Sequence, residues 1–284
     1  MVYQWFPGHM TKAFRMMQED IRLIDLVIEL LDARAPLSSR NPDIDRLGNG
    51  KSRMVILNKS DLADEKVNEE WNTFFTKMGY TVVKLNSRSG EGINKINQAI
   101  QTACREKIER DRKRGIMNRP VRAMVVGIPN VGKSTFINSL AKKAVAKTGN
   151  KPGVTKGKQW IRLNKTVELL DTPGVLWPKF EDQDIGRKLA FLGSINDEII
   201  EKRELACELI GHLCDEANGY AGVISARYGV DETRKAHEVL MDIAASRNLL
   251  IKGGEPDIDR AAGLLIDDFR SGKLGRISLE RPVL

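Results

Sequence analysis

Residues 54–62 read MVILNKSDL, and residues 127–134 read GIPNVGKS. The first stretch is an apolar run that ends in Asn-Lys-x-Asp, as in a loop that reads guanine at the end of a strand. The second fits G-x-x-x-x-G-K-[ST], the pattern of a loop that binds nucleotide phosphates. In the usual chain order the phosphate loop comes first, but here it begins 69 residues after Asn58. Either the first match is accidental, or the domain is built in a different chain order.

The phosphate loop, residues 127–134, has the residue types that phosphate binding requires. Glycines let the backbone wrap around phosphates, Lys133 can reach the β- and γ-phosphates, and the Ser134 hydroxyl can ligate Mg²⁺. A strand pattern, AMVVGI, precedes the loop and a helical pattern follows it, which makes a plain surface turn the weaker interpretation. The predicted nucleotide contacts of this region are Asn130, Val131, Gly132, Lys133, Ser134 and Thr135.

A second group of candidate residues follows the strand pattern TVELL. Asp171-Thr-Pro-Gly174, here called the switch segment, offers a carboxylate that can hold Mg²⁺ and a glycine amide that can face the γ-phosphate. Ligands bind at the carboxyl ends of such strands, which supports this assignment. Upstream, the loop 151–155 could add a second Mg²⁺-binding hydroxyl through Thr155. An ordinary loop threonine is the alternative, and Thr148 competes for the role.

The base-reading loop, residues 58–61, can distinguish guanine from adenine. The Asp61 carboxylate can accept two hydrogen bonds, from N1–H and from the 2-amino group, and adenine has no such donor pair. The Asn58 amide can bond the purine edge, and the Lys59 stem can lie along the ring. A third strand pattern ends in Asn86, Ser87 and Arg88, where a backbone amide would contact the guanine oxygen.

Strand and helix patterns alternate through the first 178 residues, which predicts a mostly parallel sheet with helices on both faces. Such a sheet needs its loops gathered at one edge, and the chain order can vary. Joining the usual termini and reopening the chain before the base-reading half gives the same site, with residues 105–122 as the joint. The predicted strands are 26–33, 54–58, 81–86, 123–128 and 166–172.

From residue 179 onward the sequence has helical periods and no convincing strand. Leu205, Leu209 and Leu213 form one apolar stripe, and two more follow, the last of them closed by Gly272. We therefore predict two domains: a circularly permuted P-loop domain of α/β class over residues 1–178, and a small all-α domain over residues 179–284.

Charge is distributed unevenly along the chain. The net charge is +8, and residues 102–165 hold 17 basic against 3 acidic residues. A solvated helix face is the ordinary explanation of such a run, but this imbalance favours a polyanion partner such as nucleic acid. No apolar stretch approaches the roughly 20 residues of a membrane span, and the three cysteines lack a zinc spacing. We expect a cytoplasmic monomer.

Several motifs together resemble one known family. The amino-terminal WFPGHM, NKSD, GIPNVGKS, the PGVT loop, DTPGVLWP and the tail DFRSGKLG resemble the ribosome biogenesis GTPase A family of circularly permuted GTPases. The resemblance covers essentially the whole chain. It implies that the protein binds GTP and GDP with Mg²⁺ and acts in late assembly of the large ribosomal subunit. The implied partners are the subunit precursor, its rRNA and its ribosomal proteins. One departure is Asn86, where such GTPases more often have Ser.

The group that activates water is not evident from the switch segment. Many GTPases have Gln after this glycine, whereas Val175 is apolar and cannot orient water. The family uses the histidine of its P-G-H-M motif, which makes His9 the candidate; a surface histidine in a turn before a helix is the alternative. In related GTPases with Pro-Asn-Val, the Asn helps to hold K⁺. Asn130 could do so here, or could only shape its loop.

Two functions remain to be weighed. The first is a Mg²⁺-dependent GTPase switch that ribosomal particles stimulate. The second is an rRNA-docking assembly factor in which GTP binds but hydrolysis is not essential. A permuted GTPase of the small subunit is disfavoured, because zinc-finger cysteines and an amino-terminal all-β domain are absent from the sequence.

Overall fold

A computed structural model describes residues 3, 5–117, 119–148 and 160–283. The chain forms two compact units. One consists of Phe6–Lys179 together with the last residues from Glu280, and the other of Phe180–Leu279 together with the amino-terminal residues up to Trp5. No helix among the described residues is long and apolar enough to cross a membrane.

In the part of the first unit that the structure describes there are six strands. They are β1 (Leu26–Asp32), β2 (Ser52–Asn58), β3 (Thr81–Leu85), β4 (Val121–Gly127), β5 (Trp160–Asn164) and β6 (Val167–Asp171). Its helices are α1 (Gly8–Asp20), α2 (Asp43–Leu47), α3 (Glu65–Lys77), α4 (Ile96–Ala103), α5 (Arg105–Lys113) and α6 (Lys133–Thr148). The helices of the second unit are α7 (Gln183–Phe191), α8 (Lys202–Cys214), α9 (Val223–Tyr228), α10 (Ala236–Ser246) and α11 (Ile258–Ser271).

The strands form one sheet in the order β3-β2-β1-β4-β6-β5. All neighbouring strands are parallel except β5, which runs antiparallel to β6 at the edge. The predicted class, a mostly parallel α/β sheet followed by a helical region, is confirmed. The strand that carries the phosphate loop, β4, lies in the middle of the sheet although it is fourth in the chain.

Strand β1 shows why this sheet needs cover on both faces. All seven of its residues are buried, and successive side chains of a strand point to opposite faces. On one face Leu31 joins Val55 and Leu57 in a cluster with Trp71 and Phe75 of α3. On the other face Leu30 is fully buried as well. Parallel strands of this kind are therefore apolar throughout rather than alternating.

Two features of this unit differ from the sequence prediction. Strand β5 was not predicted, because WIRLN has only two half-buried aliphatic residues and lies at the sheet edge, where one side needs no cover. The sequence INKINQAIQTACREKIERDRKRG has apolar residues at helical spacing and predicts one helix over residues 93–115. The structure divides it: a 3₁₀ turn, Ile93–Lys95, precedes α4, and the chain bends at Cys104 (φ −103°, ψ 13°) before α5.

The helical unit has its own apolar core. Leu205, Leu209 and Leu213 of α8 are buried, and Gly272 ends α11 in the left-handed conformation (φ 80°). The predicted stripes of α10 and α11 are buried except for their first residues, Ala236 and Ile258, which are half-buried. The two chain ends depart from the predicted domain division. Tyr3 donates from its hydroxyl to Glu208, 2.8 Å away, in the helical unit. Glu280 accepts a hydrogen bond of 3.0 Å from the Ser38 amide in the sheet-containing unit.

Candidate nucleotide site

The register of the sheet brings the three predicted loops to one edge. Asp32 lies opposite Asn58, the last residue of β2, and Leu30 lies opposite Gly127, the last residue of β4. Asp171 ends β6, opposite Val125 of β4. The base-reading loop, the phosphate loop and the switch segment therefore start from the carboxyl ends of adjacent parallel strands, where ligands bind in such folds.

Three glycines allow these loops to approach closely. Gly132 has φ 95°, and a Cβ there would collide with the Asn58 side-chain nitrogen. A Cβ on Gly174 would come within 2.9 Å of the Pro129 nitrogen, and one on Gly127 within 2.8 Å of the Leu30 carbonyl oxygen. Only glycine avoids these clashes. The phosphate loop thus packs directly against both the base-reading loop and the switch segment.

Lys133 connects the phosphate loop to the switch segment. Its side chain is buried, its Nζ donates to the Thr172 carbonyl, and Nζ lies 3.4 Å from Asp171 Oδ1. Thr172 is held against β4, because its hydroxyl donates to the Val125 carbonyl at 2.7 Å. Ser134 and Thr135, the next two residues of α6, are exposed at the same place. This arrangement brings an ammonium group, two hydroxyls and a carboxylate together.

A cleft of about 440 Å³ opens at this point, a volume within the range of ligand pockets. One wall consists of Lys133, Ser134 and the residues from Leu170 to Gly174. The other consists of residues of α1, namely Ala13, Met16, Met17 and Asp20. A larger cavity lies along the edge strand β3, and none of the predicted site residues lines it.

Asn58 joins the base-reading loop to two other loops. Its Nδ2 donates to the Val131 carbonyl of the phosphate loop at 2.8 Å. Its Oδ1 accepts from the Ser87 amide at 3.1 Å and from the Ser87 hydroxyl at 2.7 Å. Ser87 in turn accepts from Ser139 of α6 through its carbonyl. Asn58 is buried, so its side chain bonds to the protein in place of water. These bonds fix the relative position of the loops.

Lys59 makes a second link between the same loops. It adopts the left-handed conformation (φ 58°), and its Nζ donates to the Asn130 carbonyl at 2.8 Å and to Asp32 Oδ2 at 2.9 Å. Asn130 is also left-handed (φ 58°), and its side chain is exposed at the tip of the phosphate loop. Burial raises the pKa of Asp32, but the adjacent Arg34 and Lys59 cations outweigh it and hold that pKa well below its usual range.

The remaining base-site residues surround this link. Asp61 is half-buried and its carboxylate has no hydrogen bond to another residue that the structure describes. In the loop that follows β3, the amides of Arg88 and Ser89 both donate to Asn86 Oδ1, at 2.9 and 3.1 Å. The Ser87 amide donates to Asn58 Oδ1, so all three amides already have a hydrogen-bond partner within the protein. The predicted amide contact with guanine would replace one of these bonds.

The local structure at His9 is helical, whereas the sequence predicted a turn before the helix. Helix α1 begins at Gly8, directly after Pro7, so His9 lies in the first helical turn and not in a turn before the helix. His9 is exposed and shares its helix face with Ala13, Met16 and Asp20, which line the cleft. Val175, by contrast, is buried, as its apolar side chain suggests.

The residues present suit the expected Mg²⁺. Ser134 and Asp171 both line the cleft, and hydroxyl and carboxylate oxygens are the hard ligands that this ion prefers. Thr155 and the loop 151–155 lie outside the described residues, and Thr148 is the last residue of α6. Among the described residues no three His, Cys, Asp or Glu side chains form a metal-binding group.

Sequence reasoning missed Asp32, Arg34 and the α1 wall of the cleft. A weak signal existed for Asp32 and Arg34, because LDAR places two charges directly after an apolar strand, at the edge where the other loops meet. The choice of His9 as the candidate that activates water implied that the start of α1 lies near the site, but no pattern indicated that Ala13, Met16, Met17 and Asp20 line the cleft.

Comparison with known proteins supports the geometry. A family model described as 50S ribosome-binding GTPase matches residues 122–246. The match begins at β4 and includes the phosphate loop, but it leaves out the base-reading loop upstream. Ribosome biogenesis GTPase A of Bacillus cereus is 45% identical over 99% of this chain and 95% of its own length. The chain belongs to the ribosome biogenesis GTPase A family.

Other members of the family agree with this assignment, and the resemblance noted from the motifs is confirmed. Ribosome biogenesis GTPase A of Bacillus licheniformis is 46% identical, with 99% of both chains covered. The GNP-bound crystal structure of YlqF from Thermotoga maritima is 33% identical, with a TM-score of 0.68 over 95% of this chain and 98% of that one. A GDP-bound structure of TM YlqF matches with a TM-score of 0.67 and 32% identity, over 94% and 99% of the two chains.

Proposed function

We propose that the protein is a GTP-hydrolysing switch that binds the precursor of the large ribosomal subunit and acts in its late assembly. Membership of the ribosome biogenesis GTPase A family gives the general activity. The observation that carries the proposal is the joining of the two halves of the site: Asn58 and Lys59 of the base-reading loop both bond to the phosphate loop. A base and its phosphates would thus be held by one connected surface.

Each part of this surface has a chemical task. Asp61 accepts hydrogen bonds from guanine, and Lys133 offsets the negative charge that develops on the phosphates. Ser134 and Asp171, with Thr155, would hold Mg²⁺, which supplies positive charge to the phosphate oxygens when bound. The Gly174 amide senses the γ-phosphate, and its close packing on Pro129 transmits loss of that phosphate to the switch segment.

Two further groups complete the hydrolytic chemistry in this proposal. His9 orients or deprotonates the attacking water, because Val175 is apolar and buried where many GTPases have Gln. Asn130 helps to hold K⁺ against the phosphates, for which its exposed side chain at the tip of the phosphate loop is suitably placed. The protein works as a monomer in the cytoplasm.

Helix α5 supports rRNA as the partner. Its carboxyl-terminal turn and the cap residue after it carry four exposed cations that form no ion pair with another described residue: Arg110, Arg112, Lys113 and Arg114. Arg112 lines a shallow cleft together with Val121 and Thr166, beside the amino ends of β4 and β6. This surface is therefore about 20 Å from the phosphate loop, the length of a seven-residue strand. RNA bound there would leave the nucleotide site open.

Salt dependence of binding tests this surface. We expect the triple variant Arg110→Ala, Lys113→Ala, Arg114→Ala to lower the slope of log affinity against log salt concentration by about 2 for large-subunit precursors. The matched control replaces Lys66, Lys77 and Lys95, three exposed lysines elsewhere in this unit, by Ala. Equal slopes for the two triple variants would exclude α5 as the RNA contact.

Lys133→Ala separates the switch from an rRNA-docking factor in which hydrolysis is not essential. A switch loses both single-turnover hydrolysis and GTP-dependent release from the precursor particle, and cells that carry only this variant accumulate incomplete large subunits. A docking factor keeps particle association and supports growth. Sedimentation of the variant with precursor particles, with and without GTP, distinguishes the two functions.

A further inference from the structure

Asp32 occupies the centre of the site edge without belonging to any of the predicted loops. It ends β1, the strand that lies between β2 and β4, and therefore stands between the base-reading loop and the phosphate loop. Its side chain is 2% exposed. A carboxylate so deeply buried needs charged partners, and these partners determine what it can do.

Arg34 fixes the orientation of this carboxylate. Its Nε donates to Asp32 Oδ1 and its Nη2 to Oδ2, each at 2.9 Å, and its amide donates to Oδ1 at 3.2 Å. The Asp32 amide donates to the Ser39 hydroxyl at 3.0 Å, which holds the backbone as well. A bidentate pair of this kind prevents rotation of the carboxylate. Oδ2 is thereby aimed at a fixed point.

Lys59 lies at that point. The Nζ–Oδ2 distance is 2.9 Å, and the same Nζ donates to the Asn130 carbonyl at 2.8 Å. The left-handed backbone of Lys59 costs about 1–2 kcal/mol in conformational energy. The side chain also loses conformational entropy when both bonds form. A carboxylate that is already in place offsets these costs, so the ammonium group stays at the phosphate loop rather than in water.

We propose that Asp32 is a positioning residue for the nucleotide: with Arg34 as its support, it holds Lys59 across the site and so sets the phosphate loop in its binding conformation before nucleotide arrives. This inference rests on the GTP site proposed above. Preorganisation of this kind raises affinity by reducing the ordering that binding requires. Loss of the carboxylate should therefore weaken nucleotide binding through Lys59, and only through Lys59.

A double-mutant cycle on GDP affinity, measured with a fluorescent GDP analogue, tests the proposal. We expect Asp32→Asn to weaken binding about tenfold, mainly through faster dissociation, because a charged hydrogen bond is lost. Lys59→Met keeps the aliphatic stem and leaves Asp32 paired with Arg34, so this variant should fold, and it should weaken binding to a similar degree. In the Lys59→Met background, Asp32→Asn should have less than a twofold further effect.

The helical unit provides a matched control. Asp268 is also buried, and it pairs with an arginine and a lysine, Arg227 at 2.9 Å and Lys273 at 3.1 Å. Asp268→Asn should destabilise the protein to urea but leave GDP affinity unchanged. If Asp32→Asn weakens GDP binding equally in both backgrounds, or if Lys59→Met leaves affinity unchanged, the positioning role is wrong. If the wild-type protein itself fails to bind GDP, the proposed function fails too.

Discussion

The side-chain nitrogen of Asn58 donates a 2.8 Å hydrogen bond to the carbonyl of Val131, which lies 73 residues later in the chain. This bond joins the base-reading loop to the phosphate loop in the reverse of their usual chain order. Both loops begin at carboxyl ends of parallel strands, so the sheet provides the contact whichever loop is made first. The permutation therefore changes the connections of the chain, and the two loops still meet at one edge of the sheet.

We expect Asn58→Ala to weaken GDP binding between about tenfold and a hundredfold. The variant loses the bond to Val131 and both bonds to Ser87, and a buried hydrogen bond contributes about 1 kcal/mol. Ser87→Ala removes only the hydroxyl bond and should weaken binding about fivefold. Titration with a fluorescent GDP analogue checks both values. If the two variants bind equally well, the link between Asn58 and Val131 has no role in affinity.

The role of His9 can be tested on the ribosome. His9→Ala should reduce single-turnover GTP hydrolysis in the presence of large subunits by about a hundredfold or more, the usual contribution of a general base, while GTP affinity holds. Lys12→Ala, at a neighbouring exposed position of α1, is the control for general damage to the helix. Unchanged hydrolysis by the His9 variant would show that another group activates the water.

Potassium dependence gives an independent test of Asn130. Turnover in KCl should exceed turnover in NaCl of equal ionic strength by about tenfold or more, because a bound cation offsets developing phosphate charge. Asn130→Gly keeps the left-handed backbone available and removes the side chain, so this variant should lose the difference between the salts. Equal rates of the wild-type protein in the two salts would contradict the assignment.

The helical unit should lose stability in mild acid because of His212. Burial lowers the pKa of this histidine, and the nearby Arg187 and Lys188 cations lower it further. The unfolded chain then takes up a proton at higher pH than the folded unit does. Stability is complete above about pH 6.5 and falls by up to about 1.4 kcal/mol per pH unit below it.

Urea unfolding at pH 7.5 and pH 5.5 measures this effect of His212. His212→Gln should reduce the difference in the free energy of unfolding between the two pH values. His237→Gln, which changes an exposed histidine on α10, should leave that difference as it is in the wild-type protein. The same difference in the wild-type protein and the His212 variant would assign the acid sensitivity to another group.

Motifs at strand ends carried most of what could be predicted. NKSD, GIPNVGKS and DTPG each predict a strand, a loop and a chemical role, and parallel strands bring such loops to one edge whatever their order. Contacts made by tertiary folding have no comparable signature. The pairing of Asp32 with Lys59 joins residues 27 positions apart, and nothing local indicates that Met16 of α1 faces the cleft.

The edge strand β5 and the placement of the two chain ends could not be predicted from local sequence either. Strand β5 needs little apolar surface, because it is an edge strand that pairs with β6 alone among the described residues. The chain ends cross the predicted domain division through contacts with residues far away in the sequence, which no local pattern indicates. Tyr3 bonds to Glu208 in the helical unit, and the Trp71 indole nitrogen donates to the Glu280 carbonyl in the sheet-containing unit.

The rate of GTP turnover with and without purified large-subunit precursors tests the central claim most directly. A switch that is activated by its assembly target should hydrolyse GTP at least about tenfold faster when the particles are present, and Lys133→Ala should abolish the increase. The same rate with and without particles, under conditions where the protein is shown to be bound to them, would contradict a ribosome-activated GTPase.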